Sequence, residues 1–319
     1  MITRRSLLAL AAASPTLALS GSAHAEETSK VFRIGWQKNG ILALVKRRGA
    51  LEKRLGEKGI QVSWAEFSSG PPLLEALGSG ALEFGATGDV PPIFAQAARG
   101  NLVYVAATPA PGSQSAILVR KDSPIQTIAD LKGKTLAFVR GSSAHNVAVS
   151  VLATAGLTLK DVTVLSLGPA DASAAFVSGR LDAWSIWEPY FALAERDPNT
   201  RVLTTAAGIV DTYSFFLANG SFARSNSAVL REVIGILAEE ADWSQTHLNE
   251  TTKAISEITG VAEEVTRTSL TRPDAKFQVV PVTEDVIRIQ QKTADTFFDA
   301  GLIPRKLDIR SIVWTPVAS

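Results

Sequence analysis

The chain has 319 residues, a formal net charge of +1 and 20% charged residues, so nothing in its overall charge points to nucleic acid. A 46% hydrophobic content excludes a disordered chain, and the length is enough for two domains with sizeable cores. Cysteine is absent and histidine occurs only at 24, 145 and 247, which excludes disulfides and thiolate chemistry and leaves no basis for a multi-histidine metal site or a cofactor.

Residues 1–25 read as a removable signal peptide. Arg4 and Arg5 form a basic start, an alanine-rich apolar stretch follows, and Ala23-His24-Ala25 is a small-x-small cleavage site. Thr3-Arg4-Arg5-Ser6-Leu7-Leu8 fits a twin-arginine signal as well as ordinary Sec export, and both routes stay open. The mature chain, starting near Glu26, is expected in the periplasm.

The next elements alternate. Strands are expected at Phe32, Gln61, Leu82 and Leu102, and apolar residues at 41, 42, 44, 45, 51 and 55 predict one amphipathic helix over 41–55. The pattern restarts with strands at Ser115, Thr135, Val162 and Leu181. Strand-helix alternation predicts mainly parallel sheets covered on both faces. Two crossings, Thr108–Ser115 and Gly208–Ser214, divide the chain into lobe 1 (26–112 and 216–319) and lobe 2 (113–215), with a strongly helical stretch from Ser225.

Ligands of open α/β sheets sit beyond the carboxyl ends of the strands, where helices begin and their first N–H groups lack partners. Four polar turns fall at such places: Gln37-Lys38-Asn39-Gly40, Ser68-Ser69-Gly70-Pro71, Thr87-Gly88-Asp89 and Gly141-Ser142-Ser143-Ala144-His145. Each turn taken singly is also an ordinary N-cap. Their convergence from two lobes would build an anion site. Asp89 would cap its helix or accept from an amine on the ligand. A second cluster, "DAWSIWEPYFALAE", places Trp187 and Glu188 at a strand end in the cleft, with Trp184 facing the core and Tyr213 beside a crossing. Nucleotide motifs are absent, "GSS" at 141 lacks the pattern of a nucleophile elbow, and the close Ser143–His145 pair does not make a triad.

These residues carry a resemblance. "IGWQKNG", "VSWAEFSSGPPLLEAL", "FGATGDVPPIFAQAA", "KDSPIQTIADLKGKTLAFVRGSSAHN", "DAWSIWEPY" and "TADTFFDAGLIP" resemble the aliphatic sulfonate-binding proteins of bacterial ABC importers, a group similar to taurine-, nitrate- and thiamine-precursor-binding proteins. The resemblance spans about Val31 to Pro304. It implies a type II periplasmic binding protein: two α/β lobes, two crossing strands, a cleft that closes on its ligand, a membrane permease with its ATPase as partners, and no catalysis. Carried over, it places Gln37, Ser69, Gly70, Thr87, Gly88, Asp89, Ser142, Ser143, His145, Trp187 and Glu188 in the pocket. Tyr213 joins this set from its place at the crossing. The family often has Tyr at 36, where this chain has Trp, and Asp at 188, where it has Glu. Asn146 stands where a bulkier residue is expected, which bears on the size of the ligand's tail. Rival readings are a binder of taurine, nitrate or a pyrimidine, a sensor lobe, and an enzyme. A sulfinate desulfinase of similar fold relies on a cysteine that this chain lacks. The protein is expected to be a monomer, with Arg267 and Arg272 as exposed surface arginines.

Overall fold

The computed structural model describes residues 30–315, so the signal peptide lies outside the described residues. The first lobe opens with β1 (Lys30–Trp36), α1 (Gly40–Arg48), α2 (Ala50–Gly56), β2 (Ile60–Glu66), α3 (Gly70–Gly78), β3 (Phe84–Thr87), α4 (Val90–Ala97) and β4 (Leu102–Ala110). The second contains β5 (Ser115–Arg120), β6 (Thr135–Phe138), α5 (Ser143–Thr154), β7 (Thr163–Ser166), α6 (Pro169–Val177), β8 (Ala183–Trp187), α7 (Tyr190–Glu195) and β9 (Thr200–Thr205). The chain then returns through β10 (Thr212–Asn219) to α8 (Gly220–Ser225), α9 (Ser227–Thr246), α10 (Leu248–Thr259), α11 (Glu263–Leu270) and α12 (Glu284–Asp299).

Two five-stranded sheets result, ordered β2-β1-β3-β10-β4 and β7-β6-β8-β5-β9. Both are mixed rather than purely parallel, because the strand that follows each crossing runs backwards. β10 is antiparallel to β3 and β4, and β5 is antiparallel to β8 and β9. The two crossings sit between β4 and β5 and between β9 and β10, where the sequence places them. β9 and β10 themselves are strands beyond those expected. The expected boundary at 215/216 falls inside β10, all of which pairs in the first sheet.

Period-two alternation explains how both faces of the first sheet are covered. On β10, Phe216 and Ala218 join one core with Phe32, Ile34 and Leu44, while Phe215 and Leu217 join the other with Leu73, Leu77 and Phe297. Helices α9 and α10 complete the first core and α12 the second, so the helical C-terminal part belongs to the first lobe. Each fully buried side chain of this kind stabilises the fold by roughly 1.5–3 kcal/mol. The single helix expected over 41–55 is two, because Gly49 adopts a left-handed conformation (φ 67°) between α1 and α2. That turn closes α1 with its own N–H on the carbonyls of Lys46 and Val45.

Candidate functional site

A cavity of about 220 Å³ lies between the lobes. Its polar end is made from four helix starts: Gln37 to Leu42 before and within α1, Gly70 at α3, Thr87-Gly88-Asp89 at α4, and Ser142-Ser143 at α5. Three come from the first lobe and one from the second, as the turns in the sequence imply. The residues at the four N-cap positions are Asn39, Ser69, Asp89 and Ser142. None accepts a side-chain hydrogen bond from its own helix, which is also true of α2, α6, α7, α9, α10 and α11; among the described α-helices Asn219 and Thr283 alone cap theirs, α8 and α12. What sets the four turns apart is their convergence on one cavity. Their first-turn N–H groups lack intrahelical partners, and the positive end of each helix dipole adds to them.

Close contact between the lobes depends on Gly88. A Cβ at this position would lie 1.8 Å from the Ser143 hydroxyl oxygen and 3.2 Å from its Cβ, so a side chain here displaces the Ser143 hydroxyl and presses on the facing turn. Thr87 Oγ1 donates to the Gly88 carbonyl at 3.2 Å, and Ser142 Oγ donates to Val139 O at 2.7 Å. Gln37 donates its side-chain amide to Ala86 O at 3.2 Å, which ties the α1 turn to β3. Asp89 is 1% exposed. Its Oδ2 accepts from Asn146 of the other lobe at 2.6 Å, and its Oδ1 has no hydrogen-bond partner among the described residues. Burial pushes the Asp89 carboxyl well above the usual range, with nearby Ser143 and Asn146 pulling the other way.

The wall also carries apolar groups, Trp187, Val210, Phe216, Ile255, Leu270 and Phe277, together with Thr259, Thr266 and Ser269. Trp187 stands at the carboxyl end of β8, edge-on to Tyr190, while Trp184 is buried in the core as expected. Glu188 also lines the wall, but its carboxylate is already filled. It accepts from Arg272 Nε at 2.7 Å, Ser269 Oγ at 2.8 Å and the Ala192 N–H at 3.1 Å.

Four expectations need correction. His145 is 2% exposed and off the cavity wall. Its ring stacks on Phe138 (centroids 4.8 Å apart), meets Phe297 edge-on at 4.9 Å, and its Nδ1 accepts from the Gly141 N–H at 3.2 Å. Burial, helped by the nearby positive charge of Arg140, pushes its pKa down to about 4, so it is neutral near pH 7. Ser69 is buried off the wall, which Gly70 forms at that turn. Tyr213 points away because its neighbours Thr212 and Ser214 face the cavity and a strand alternates its faces; it packs instead on the core around Tyr104 and Phe297. Arg272 is not a surface arginine: its side chain is 16% exposed and reaches Glu188 and Glu195 across the lobes. Arg267 is exposed and donates to Asn249 Oδ1 at 2.7 Å.

The contribution of α10 and α11 was missed. Its signal is the run of threonines and serines between Thr251 and Ser269, of which Thr251, Thr252, Thr259, Thr266 and Ser269 are buried. Buried hydroxyls on otherwise amphipathic helices mark a face turned to a polar cavity as well as to a core. No group of metal-ligating side chains occurs among the described residues, and none of their helices is long and apolar enough to cross a membrane.

A ligand cavity held between two α/β lobes, joined by two crossing segments and ringed by uncapped helix starts, defines a type II periplasmic binding protein. The model of the NMT1/THI5-like family matches residues 55–247. The crystal structure of the periplasmic aliphatic sulphonate binding protein SsuA from Escherichia coli is 40% identical, covering 91% of this chain and 94% of that one with a TM-score of 0.81. The alkanesulfonate-binding protein SsuA from Xanthomonas axonopodis pv. citri, solved bound to MOPS, is 39% identical, covering 89% and 98% with a TM-score of 0.84. The chain belongs to the NMT1/THI5-like family and, within it, to the aliphatic sulfonate-binding proteins. The desulfurization enzyme DSZB shares the fold alone, at 14% identity and a TM-score of 0.68 over 89% of this chain and 96% of that one. The chain is a binding protein and not an enzyme.

Proposed function

We propose that this protein is the periplasmic solute-capturing subunit of an ABC importer, that it takes aliphatic sulfonates into the cavity between its lobes, and that it delivers them to a membrane permease and its ATPase. The observation that carries the reading is the convergence of four helix starts without side-chain caps, from both lobes, on one cavity. A sulfonate is the anion of a strong acid and needs donors, not a base. Neutral N–H groups and hydroxyls supply them without the desolvation cost of a buried counter-ion. Four helix termini contribute roughly 1–4 kcal/mol together, and more where they are partly buried. Charge-assisted hydrogen bonds and burial of the alkyl tail against Trp187 and Phe216 bring the sum toward the roughly 8 kcal/mol of micromolar binding.

The lobes in this reading are residues 26–112 with 216–319, and 113–215, adjusted so that all of β10 lies in the first. Export takes the twin-arginine or the Sec route, and the mature protein acts as a monomer. The pocket contacts are Gln37, Gly70, Thr87, Gly88, Ser142, Ser143 and Trp187, with Glu188 held in the wall. One observation favours a second ligand type. Asp89 is a lining residue whose buried Oδ1 has no hydrogen-bond partner among the described residues, a spare acceptor that suits an amino-sulfonate such as taurine.

The test is calorimetric titration in a buffer free of sulfonates, with pentanesulfonate, taurine, pentanoate, nitrate and a pyrimidine. Pentanesulfonate should bind with a Kd on the order of micromolar. Tighter binding of taurine would favour the amino-sulfonate reading. Binding of nitrate or the pyrimidine with no sulfonate binding at all would overturn both.

A further inference from the structure

Arg272 lies just after α11, which packs on α10, which packs on α1, so its backbone is anchored in the first lobe. Its guanidinium reaches into the second. Nε donates to Glu188 Oε1 at 2.7 Å, and the same group forms an ion pair with Glu195. Glu188 and Glu195 stand at the two ends of α7, and between them the guanidinium covers the ring of Phe191 at 3.9 Å. The neighbours of Arg272 reinforce the same seam: Ser269 donates to Glu188 Oε2, and the Pro273 carbonyl accepts from Ser113 Oγ in the first crossing.

We propose that Arg272 is a positioning residue for ligand capture, a strap from the first lobe that grips Glu188 and Glu195 of the second and holds the cavity closed. The proposal rests on the reading of this cavity as the ligand site. A planar fork of donors suits two carboxylates at once, and an ammonium on a flexible stem does not reproduce it. Opening the lobes parts Arg272 from both glutamates and from Phe191 together, so the closed state alone contains these contacts. Arg272 also neutralises Glu188, whose carboxylate would otherwise present a negative charge in the wall around an anionic ligand. Loss of the strap therefore lowers the closed population, and apparent affinity falls with that population. It acts after encounter, so it sets the dissociation rate more than the association rate.

The chain contains no cysteine, so a label pair can be placed freely. Glu57→Cys in the first lobe and Val177→Cys in the second are both exposed and carry the probes. Single-molecule energy transfer on the full mature chain then reports the lobe separation, and stopped-flow with pentanesulfonate reports the rates. For Arg272→Gln the ligand-free distribution should shift toward larger separations, and dissociation should speed by about tenfold while association stays within about threefold. Arg272→Lys should recover part of the loss. Glu195→Gln, which leaves Glu188 paired, should give an intermediate effect and keeps the test available if Arg272→Gln does not fold. Unchanged separations and unchanged dissociation in these variants would overturn the strap. If the unsubstituted protein binds no sulfonate, the functional reading fails, but the ligand-free separations still decide the strap.

Discussion

Two seams join the lobes beside the cavity, and they are built from opposite materials. At the α4–α5 seam, His145 of the second lobe, stacked on Phe138, packs on Phe94 and Phe297 of the first, and Asp89 meets Asn146. At the α7–α11 seam, Arg272 meets Glu188 and Glu195, and Arg196 meets Glu264. The first seam is dry and aromatic, and parting it would expose apolar rings to water. The second is charged, and each of its groups has water as an alternative partner. The ionic seam lies against the first crossing, where Ser113 Oγ donates to Pro273 O and the Glu188 N–H donates to Gln114 O. The contrast explains why a histidine in a polar turn is not a ligand group here: its ring is part of the aromatic packing between the lobes.

His145 offers the strongest test of that contrast. Its pKa is about 4 in the folded protein, against about 6.5 for an ordinary histidine. As pH falls from 6.5 the unfolded chain takes the proton first, so stability is lost between pH 6.5 and 4 and the loss levels off below. The full gap corresponds to roughly 3 kcal/mol. Asp89 acts in the opposite sense, because its raised pKa lets the folded chain take a proton first as pH falls. The total slope therefore mixes the two. The difference between the unsubstituted protein and His145→Gln isolates the histidine. Urea unfolding at pH 7 and pH 4 should show that difference moving in the variant's favour by up to about 3 kcal/mol, whatever fixed packing cost the substitution carries. A constant difference would mean that the ring is not in a dry seam.

The contact of Gly88 with Ser143 is the point where the aromatic seam meets the cavity, and Gly88→Ala perturbs it with one methyl group. The new carbon displaces the Ser143 hydroxyl, 1.8 Å away, and crowds the Ser143 Cβ at 3.2 Å, so the strain falls on the facing turns. Overpacking of this kind costs about 1–3 kcal/mol, and if the cost falls on the closed state it weakens binding roughly fivefold to 150-fold. Calorimetry with pentanesulfonate checks the affinity and thermal unfolding checks the fold. An unchanged affinity would show that the α4 and α5 starts need not face each other to bind.

How far these features were readable in advance follows from the range of the interactions behind them. The strand-helix alternation and the four polar turns are local, and the sequence places them well. Tyr213 fails on parity: without the register of β10, nothing tells which of three adjacent residues faces the cleft. β9 is hard to see because "TRVLTT" lacks a continuous apolar face, and β10 is obscured by the crossing that opens it. His145 fails on helix phase, since the third residue of α5 turns toward Phe297, far along the chain. Arg272 is the extreme case. Its partners lie 84 and 77 residues away, and a charged residue after a polar helix reads as solvated until tertiary contact fills its donors.

The ionic seam itself contains an internal comparison, between the strap and the pair Arg196–Glu264. Both cross from α7 to the α11 region, and both have a guanidinium on a carboxylate. They differ in water. The Arg196 and Glu264 side chains are 51% and 67% exposed, against 16% for Arg272. An exposed pair loses in side-chain entropy and screening most of what it gains in attraction, so its coupling is about 0–1 kcal/mol. A double-mutant cycle with Arg196→Gln and Glu264→Gln, read on pentanesulfonate dissociation, should give a coupling in that range that vanishes in about 0.5 M salt, where the Debye length falls below 5 Å. The same cycle on Arg272 and Glu188 should be larger and should survive that salt, because little solvent reaches between the groups. If the exposed pair coupled as strongly as the buried one, seam closure would depend on net charge across the gap, and the particular grip of Arg272 would lose its distinction.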